Sequence, residues 1–231
     1  MGLSPFTSSS RLTELVLQSS STARKVATIS DRERLPRNMG FDPGDIQVLT
    51  PTRKGETGTH ALNHRLQEAL NPPSPKKKEK IFGETVFREG DRVMQIRNNY
   101  DIIWKCRDSG EVGTGIFNGD VGIVRTVDTQ EELLTVDFDD RQAEYEFDAL
   151  GELEPAYAMT VHKSQGSEYR AVILCAWHGS PYLLSRSVLY TAVTRAKELL
   201  VIVGREEVIA AMTENTKGNR RYTGLKLRLQ Q

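Results

Sequence analysis

Apolar and polar positions divide the chain into three textures. In the first, Ile46-Gln47-Val48-Leu49 is a short apolar run between the turn signal Asp42-Pro43-Gly44 and Thr50-Pro51, the length and setting of a buried strand. A polar, glycine-containing loop follows, Thr52-Arg53-Lys54-Gly55-Glu56-Thr57-Gly58. Leu62, Leu66, Ala69 and Leu70 then recur at i, i+4, i+7 and i+8, one apolar face of a helix that Asn71-Pro72-Pro73 must end. This strand–loop–helix order predicts a βα unit. Pro72–Lys80 is a proline- and lysine-rich connector, and beyond it the period shortens. Val86–Ile96, Gly122–Val127 and Leu133–Phe138 read as short strands, punctuated by Glu89-Gly90-Asp91, Asn118-Gly119-Asp120 and Asp139-Asp140. Such spacing predicts a small β-barrel of roughly 60–65 residues, near the lower size at which a domain stands alone. From Glu154 the first texture returns. Ala171–Trp177 and Leu199–Val203 have buried-strand length, Ser185–Lys197 places Val188, Leu189, Ala192 and Val193 on one helical side, and Glu206–Met212 reads as a last helix. The predicted architecture is an α/β, parallel-sheet domain split by a β-barrel inserted between Lys80 and Glu154. The Ser- and Thr-rich residues 1–30, with a short helix expected over Leu12–Leu17, read as a linker or lead-in.

Composition narrows the class. Of the 231 residues, 38% are apolar and 27% charged, as in ordinary globular domains. No apolar run approaches the ~18–20 residues that cross a bilayer, and Met1–Ser10 lacks the pattern of a secretory signal, so no membrane role is expected. Two cysteines, Cys106 and Cys175, are too few for a disulfide framework, which suits a reducing cytoplasm. Net charge is zero, so any nucleic-acid contact must be local. The basic residues do cluster locally, at Arg53 and Lys54, at Lys76, Lys77, Lys78 and Lys80, and at Arg220 and Arg221.

Candidate chemistry concentrates in two segments. The first is Ala158-Met159-Thr160-Val161-His162-Lys163-Ser164-Gln165-Gly166-Ser167-Glu168-Tyr169, where small and polar residues crowd between a turn and a buried strand, as ligand loops do. Gly166 permits close backbone approach, Thr160, His162, Lys163 and Ser164 offer donors to phosphate oxygens, and Gln165 and Glu168 offer acceptors to sugar hydroxyls. The same residues also suit a solvated loop capped at Ser164 or Ser167. The second segment is Tyr190–Lys197, in which Arg195, expected on a helix, offers a rigid guanidinium suited to charge on a transferring phosphoryl group. Alone, it reads rather as a surface arginine on an amphipathic helix. His60 and His64 share a helix face at i, i+4 without a third ligand and read as surface residues. No cluster of carboxylates and histidines suits two-metal hydrolysis, which argues against a nuclease.

These segments carry a resemblance. Thr160–Glu168 resembles motif V, and Tyr190–Lys197 motif VI, of superfamily 1 helicases. The wording of "TVHKSQGSEY", of "LLSRSVLYTAVTRAKELLVIVG" and of the stretch from Arg34 to Pro72 is similar to the RecD/TraA branch. "GDRVMQIRNNYD" and "FNGDVGIV" resemble the SH3-like barrel inserted in that family's second RecA-like domain. The resemblance covers Arg34 to Leu229. It implies a RecA-like domain over 34–83 and 151–231, an SH3-like barrel over 84–150, and a lead-in over 1–33. It implies that Arg195 contacts the γ-phosphate of ATP, with Arg53 or Lys54 on the same phosphate. Gln165, Gly166 and Glu168 would line the nucleotide, Glu168 near the ribose. Thr160 and His162 would face single-stranded DNA, with Lys163 and Ser164 assisting.

No stretch fits the phosphate-binding loop G-x-x-x-x-G-K-[ST]: before Lys163-Ser164 stands His162, and Gly113-Thr114-Gly115 lacks the lysine. Val136-Asp137-Phe138-Asp139-Asp140 imitates an acidic Mg²⁺ pair but reads as a hairpin turn. The expectation is therefore the C-terminal fragment of an ATP-dependent helicase. ATP and Mg²⁺ would serve the whole protein and neither would bind the fragment. Its partners would be single-stranded DNA, a missing N-terminal RecA-like domain and RecB/RecC-like subunits. The fragment alone would not hydrolyse ATP. The competing expectation is a non-enzymatic nucleic-acid or protein-binding module centred on the barrel, with PPSPKKKEK as a mobile charged tether.

Overall fold

The computed structural model of the chain describes residues 40–216. The expected helix over Leu12–Leu17, the lead-in and the Arg220–Arg221 pair lie outside the described residues. Strand β1 (Ile46–Thr50) is buried at every position. It pairs in parallel with β11 (Ala158–Thr160) on one side and β12 (Tyr169–Ala176) on the other, and β12 pairs in parallel with β13 (Ala196–Gly204). The sheet order is β11-β1-β12-β13. Parallel strands bury both faces, and the continuous apolar runs of β1 and β12 meet that demand. Helix α1 (Thr59–Leu70) lays Leu62 and Leu66 over Ile46, Val48 and Ile173. On the opposite face α2 (Arg186–Val193) and α3 (Glu206–Glu214) lay Val188, Ala192 and Met212 over Leu49, Val172 and Leu174.

Between α1 and β11 the chain leaves this sheet. β2 (Glu79–Phe82) and β3 (Thr85–Arg88) form a hairpin. A seven-stranded sheet follows: β4 (Arg92–Gln95), β5 (Asn99–Cys106), β6 (Val112–Ile116), β7 (Val121–Asp128), β8 (Leu133–Phe138), β9 (Arg141–Glu146) and β10 (Leu153–Pro155). Its order is β10-β4-β7-β8-β9-β5-β6, with every pair antiparallel. Leu153 in β10 and Ile116 in β6, at opposite ends of that order, share one core with Val93, Val124, Val136, Phe138 and Tyr145, so the sheet curls on itself. The fold is therefore a mixed α/β parallel-sheet domain interrupted by a small antiparallel barrel.

Several elements differ from the sequence expectation. Val86–Ile96 resolves into β3 and β4 around the Glu89-Gly90-Asp91 turn. β5, β6 and β9 were not anticipated, because β5 exposes Tyr100 and Ile103 and its alternation is masked. Asp139-Asp140 joins β8 to β9 as the expected hairpin turn, with Asp139 at φ 52°. The helix expected over Ser185–Lys197 ends at Val193, and Ala196 already belongs to β13. Ala-Lys-Glu-Leu favours a helix locally, but pairing with the buried β12 overrides that preference. The Pro72–Lys80 segment is no free tether: Lys77 Nζ donates to Asn71, the Lys78 amide donates to Glu89 at 3.1 Å, and Lys80 stands 4.1 Å over the Phe147 ring.

The two bodies are joined by a buried carboxylate. Asp91, 1% exposed, accepts from Gln67 Nε2 (2.5 Å), Asn71 Nδ2 (2.6 Å), the Arg88 amide (2.7 Å) and the Tyr157 hydroxyl (2.9 Å). Burial, reinforced by Asp91, pushes the Tyr157 pKa up, so this hydroxyl remains a donor at all ordinary pH. Gln67 and Asn71 come from α1 and its cap, Arg88 and Asp91 from the barrel's first turn. No helix among the described residues is long and apolar enough to cross a membrane. Cys106 and Cys175 are buried and are not joined in a disulfide.

Candidate functional site

The chain places its chemistry at the two opposite edges of the parallel sheet. The connection from β11 to β12 leaves Thr160, at the carboxyl end of β11, and must reach Tyr169, at the amino end of β12. It first coils. The Lys163 and Ser164 amides donate to Thr160 O, the Gln165 amide to His162 O and the Ser167 amide to Ser164 O. Gly166 holds φ at +91°, a left-handed conformation that disfavours any side chain, and this releases the coil into β12. Gln165, Gly166 and Glu168 stay exposed. Ser164 does not: it is fully buried and its hydroxyl donates to Val161 O at 2.7 Å. The expected DNA contact of Ser164 is therefore corrected to an internal bond that closes the coil. Lys163 Nζ is held 2.7 Å from Glu154, which also takes Arg53 Nη2 at 2.9 Å.

At the amino edge the loop's end meets Arg195. β12 and β13 pair from Tyr169↔Ala196, and the Tyr169 amide donates to Arg195 O at 2.8 Å. Arg195 is not on the helix, as expected, but in the joint between α2 and β13. Its Nη1 donates to Ser167 O (2.9 Å), Nε to Thr191 O (3.3 Å) and Nη2 to Thr194 Oγ1 (3.2 Å). All three acceptors are neutral, so the guanidinium keeps its charge uncompensated by any carboxylate among these contacts. Glu168 is 3.2 Å from Lys197 Nζ. Ser167, Glu168 and Arg195 are thus brought to one edge by backbone pairing, while Gln165 and Gly166 lie in the coil that leads there from His162.

At the carboxyl edge the loops after β1, β11 and β12 enclose a cavity of about 960 Å³. Arg53, Lys54, Thr160, His162, Trp177 and His178 line it. Thr160 is nearly buried, and His162 is exposed. Trp177, read from the sequence as the end of a strand, lies just beyond β12, and the following His178-Gly179-Ser180-Pro181 run is the sequence signal for a loop there.

Arg53 and Lys54 are consequently corrected too. Leu49 is level with Leu174 and, across β12, with Ile202. The end of β1 is then level with Val203, eight residues past Arg195, or roughly 25 Å at about 3.3 Å per residue. Arg53 lies beyond that end. Two extended side chains do not span such a gap, so Arg53 or Lys54 and Arg195 do not meet on one phosphate in this structure. His60 and His64 are exposed on α1, with His64 3.9 Å from Glu68. Among the described residues no three His, Cys, Asp or Glu stand together to hold a metal ion.

Residues 62–138 match the family described as the ATP-dependent RecD-like DNA helicase SH3 domain, and residues 155–203 the UvrD-like helicase C-terminal domain. The ATP-dependent RecD2 DNA helicase of Deinococcus radiodurans is 34% identical over 203 residues, covering 88% of this chain and 25% of that protein. The RecBCD enzyme subunit RecD of Mycobacterium tuberculosis is 34% identical over 189 residues, covering 80% of this chain and 28% of that one. A Pif1 helicase structure from Bacteroides, in complex with ADP-AlF3 and ssDNA, aligns over 87% of this chain and 48% of that one with a TM-score of 0.46 and 18% identity. The antiparallel barrel set into a parallel sheet agrees with the two family matches, the barrel falling largely within residues 62–138 and strands β11, β12 and most of β13 within residues 155–203. The chain belongs to the RecD-like DNA helicases, and it spans about a quarter of the length of the curated relatives named above.

Proposed function

We propose that the chain is the second motor half of an ATP-dependent DNA helicase that translocates on single-stranded DNA. In this reading the barrel insertion runs from Glu79 to Pro155, because β2 pairs with β3 and β10 pairs with β4. The flanking stretches form the RecA-like domain. The amino edge faces the nucleotide: Arg195 meets the γ-phosphate, Gln165 and Gly166 line the nucleotide, and Glu168 accepts from the ribose. The nucleotide supplies the phosphoryl group whose charge Arg195 offsets. Its remaining phosphate contacts and Mg²⁺ belong to the other motor domain, with which this edge would close. The carboxyl edge faces the DNA: Thr160 and His162 meet the strand, and Arg53 and Lys54 join them there instead of meeting the nucleotide. RecB/RecC-like subunits are the protein partners that the RecD relatives suggest.

One observation carries this reading. The connection between Thr160 and Tyr169 begins in the basic cavity and ends bonded to Arg195, so a closure around nucleotide at one edge displaces the strand contacts at the other. The test is fluorescence anisotropy of labelled oligo-dT with this chain across a salt titration, beside Thr160→Ala/His162→Ala. Contact through a few phosphates should weaken with salt, log K falling by ~0.7 per contact, and the double variant should bind more weakly. Tight binding unaffected by the double variant would instead favour the barrel as an independent nucleic-acid module.

A further inference from the structure

Beyond the phosphate contacts, we propose that Trp177 and His178 form a subsite for a nucleobase, so that the carboxyl-edge cavity reads a single strand by its bases as well as its backbone. The inference rests on placing DNA at this edge. Both residues line the cavity that also holds Arg53, Lys54, Thr160 and His162. Their ring centroids lie 6.5 Å apart with planes at 80°, a corner in which a planar base stacked on one ring meets the other at its edge. Trp177 is half-buried and His178 exposed, so the indole is anchored while the imidazole is open to solvent.

The corner is held, not loose. Directly after it, the Gly179 backbone packs so closely that a Cβ there would lie 3.1 Å from Thr52 Cγ2 and 3.3 Å from Leu184 Cγ. The Leu183 and Leu184 amides then close a turn on Ser180 O at 2.8 and 3.0 Å. Thr52 immediately precedes Arg53 and Lys54, so the aromatic corner and the basic loop are fixed against each other. Aromatic faces beside cations that follow a phosphate backbone are the general chemistry of single-strand binding. A duplex has its bases stacked and paired and cannot offer one to the corner, so this subsite selects single strands.

The test compares anisotropy of oligo-dT with an abasic oligomer of equal length on this chain, and on Trp177→Ala and His178→Ala. Base–aromatic stacking predicts that the wild-type chain binds oligo-dT roughly five- to a hundredfold more tightly than the abasic strand. Trp177→Ala should erase that preference while keeping the salt-dependent binding of the abasic strand. The solvent-exposed His178→Ala should reduce the preference, and it serves if Trp177→Ala does not fold. Intrinsic tryptophan fluorescence should be quenched by oligo-dT and not by the abasic strand. Equal, salt-dependent affinity for both strands would overturn the subsite and leave DNA at this edge intact. No binding of either strand would overturn the placement of DNA itself.

Discussion

Arg170 holds two carboxylates at once, Glu198 at 2.7 Å and Asp45 at 2.6 Å, and this bracket ties β12 and β13 to the turn before β1. The hydrogen bond from Arg170 draws the Glu198 carboxyl below its ordinary value, and the guanidinium charge adds to it. A depressed carboxylate favours the fold above the ordinary carboxylate range and loses that contribution as pH falls through the lowered value. Glu198→Gln should therefore lower the Tm at neutral pH, and the gap to wild type should narrow as pH falls below the ordinary carboxylate range. A gap that stays constant with pH would remove the ion pair from the account. The contrast with Arg195 is instructive at this scale. Both are arginines at the same sheet edge, yet one is neutralised and the other contacts only neutral oxygens. Sequence shows two arginines, while only side-chain geometry separates one paired with carboxylates from one bonded to neutral oxygens. Ser164 makes the same point, since its hydroxyl looked available in the sequence and is spent on Val161.

At the scale of elements, α1 has an unusual start. Its N-cap is Gly58, which offers no side-chain cap. Substituting serine there ordinarily stabilises a helix by a few tenths of a kcal/mol. Here a Cβ would lie 2.5 Å from Arg53 O, so the loop carrying Arg53 and Lys54 must move. Gly58→Ser should therefore destabilise the protein by about 1–3 kcal/mol in urea unfolding and weaken oligo-dT binding several-fold. A stabilised variant with unchanged binding would refute the close approach. Elements that sequence revealed well, β1, α1 and β12, are those whose apolar period is long or whose ends carry proline. β11 was read as loop because three residues show no period, and they become a strand only beside Val48–Thr50. The end of α2 was misplaced for a related reason. A helix-forming stretch was claimed by a neighbour strand distant in sequence.

At the scale of the molecule, Asp91 makes the barrel and the parallel sheet depend on each other. Asp91→Ala would leave donors from Gln67, Asn71, Arg88 and Tyr157 without their acceptor, at a cost of about 3 kcal/mol or more. Because those donors come from both bodies, the variant should unfold in two transitions where the wild type unfolds in one, seen by calorimetry. A single transition shifted downward as a whole would mean that packing elsewhere couples the bodies.

The sequence by itself determined the parts and their chemistry. A βα unit interrupted by closely spaced strands, a loop of small and polar residues around Gly166, and an arginine before a buried strand are all local patterns, visible in periodicity and residue type. The RecD-like wording of those segments added the family. What only the tertiary structure decided is which parts face which edge. Arg53, Lys54 and Arg195 look like equivalent cations in one dimension, and parallel pairing of strands more than a hundred residues apart puts them at opposite ends of the sheet. That register comes from burying both sheet faces at once, a long-range packing condition that no local pattern of apolar and polar positions contains.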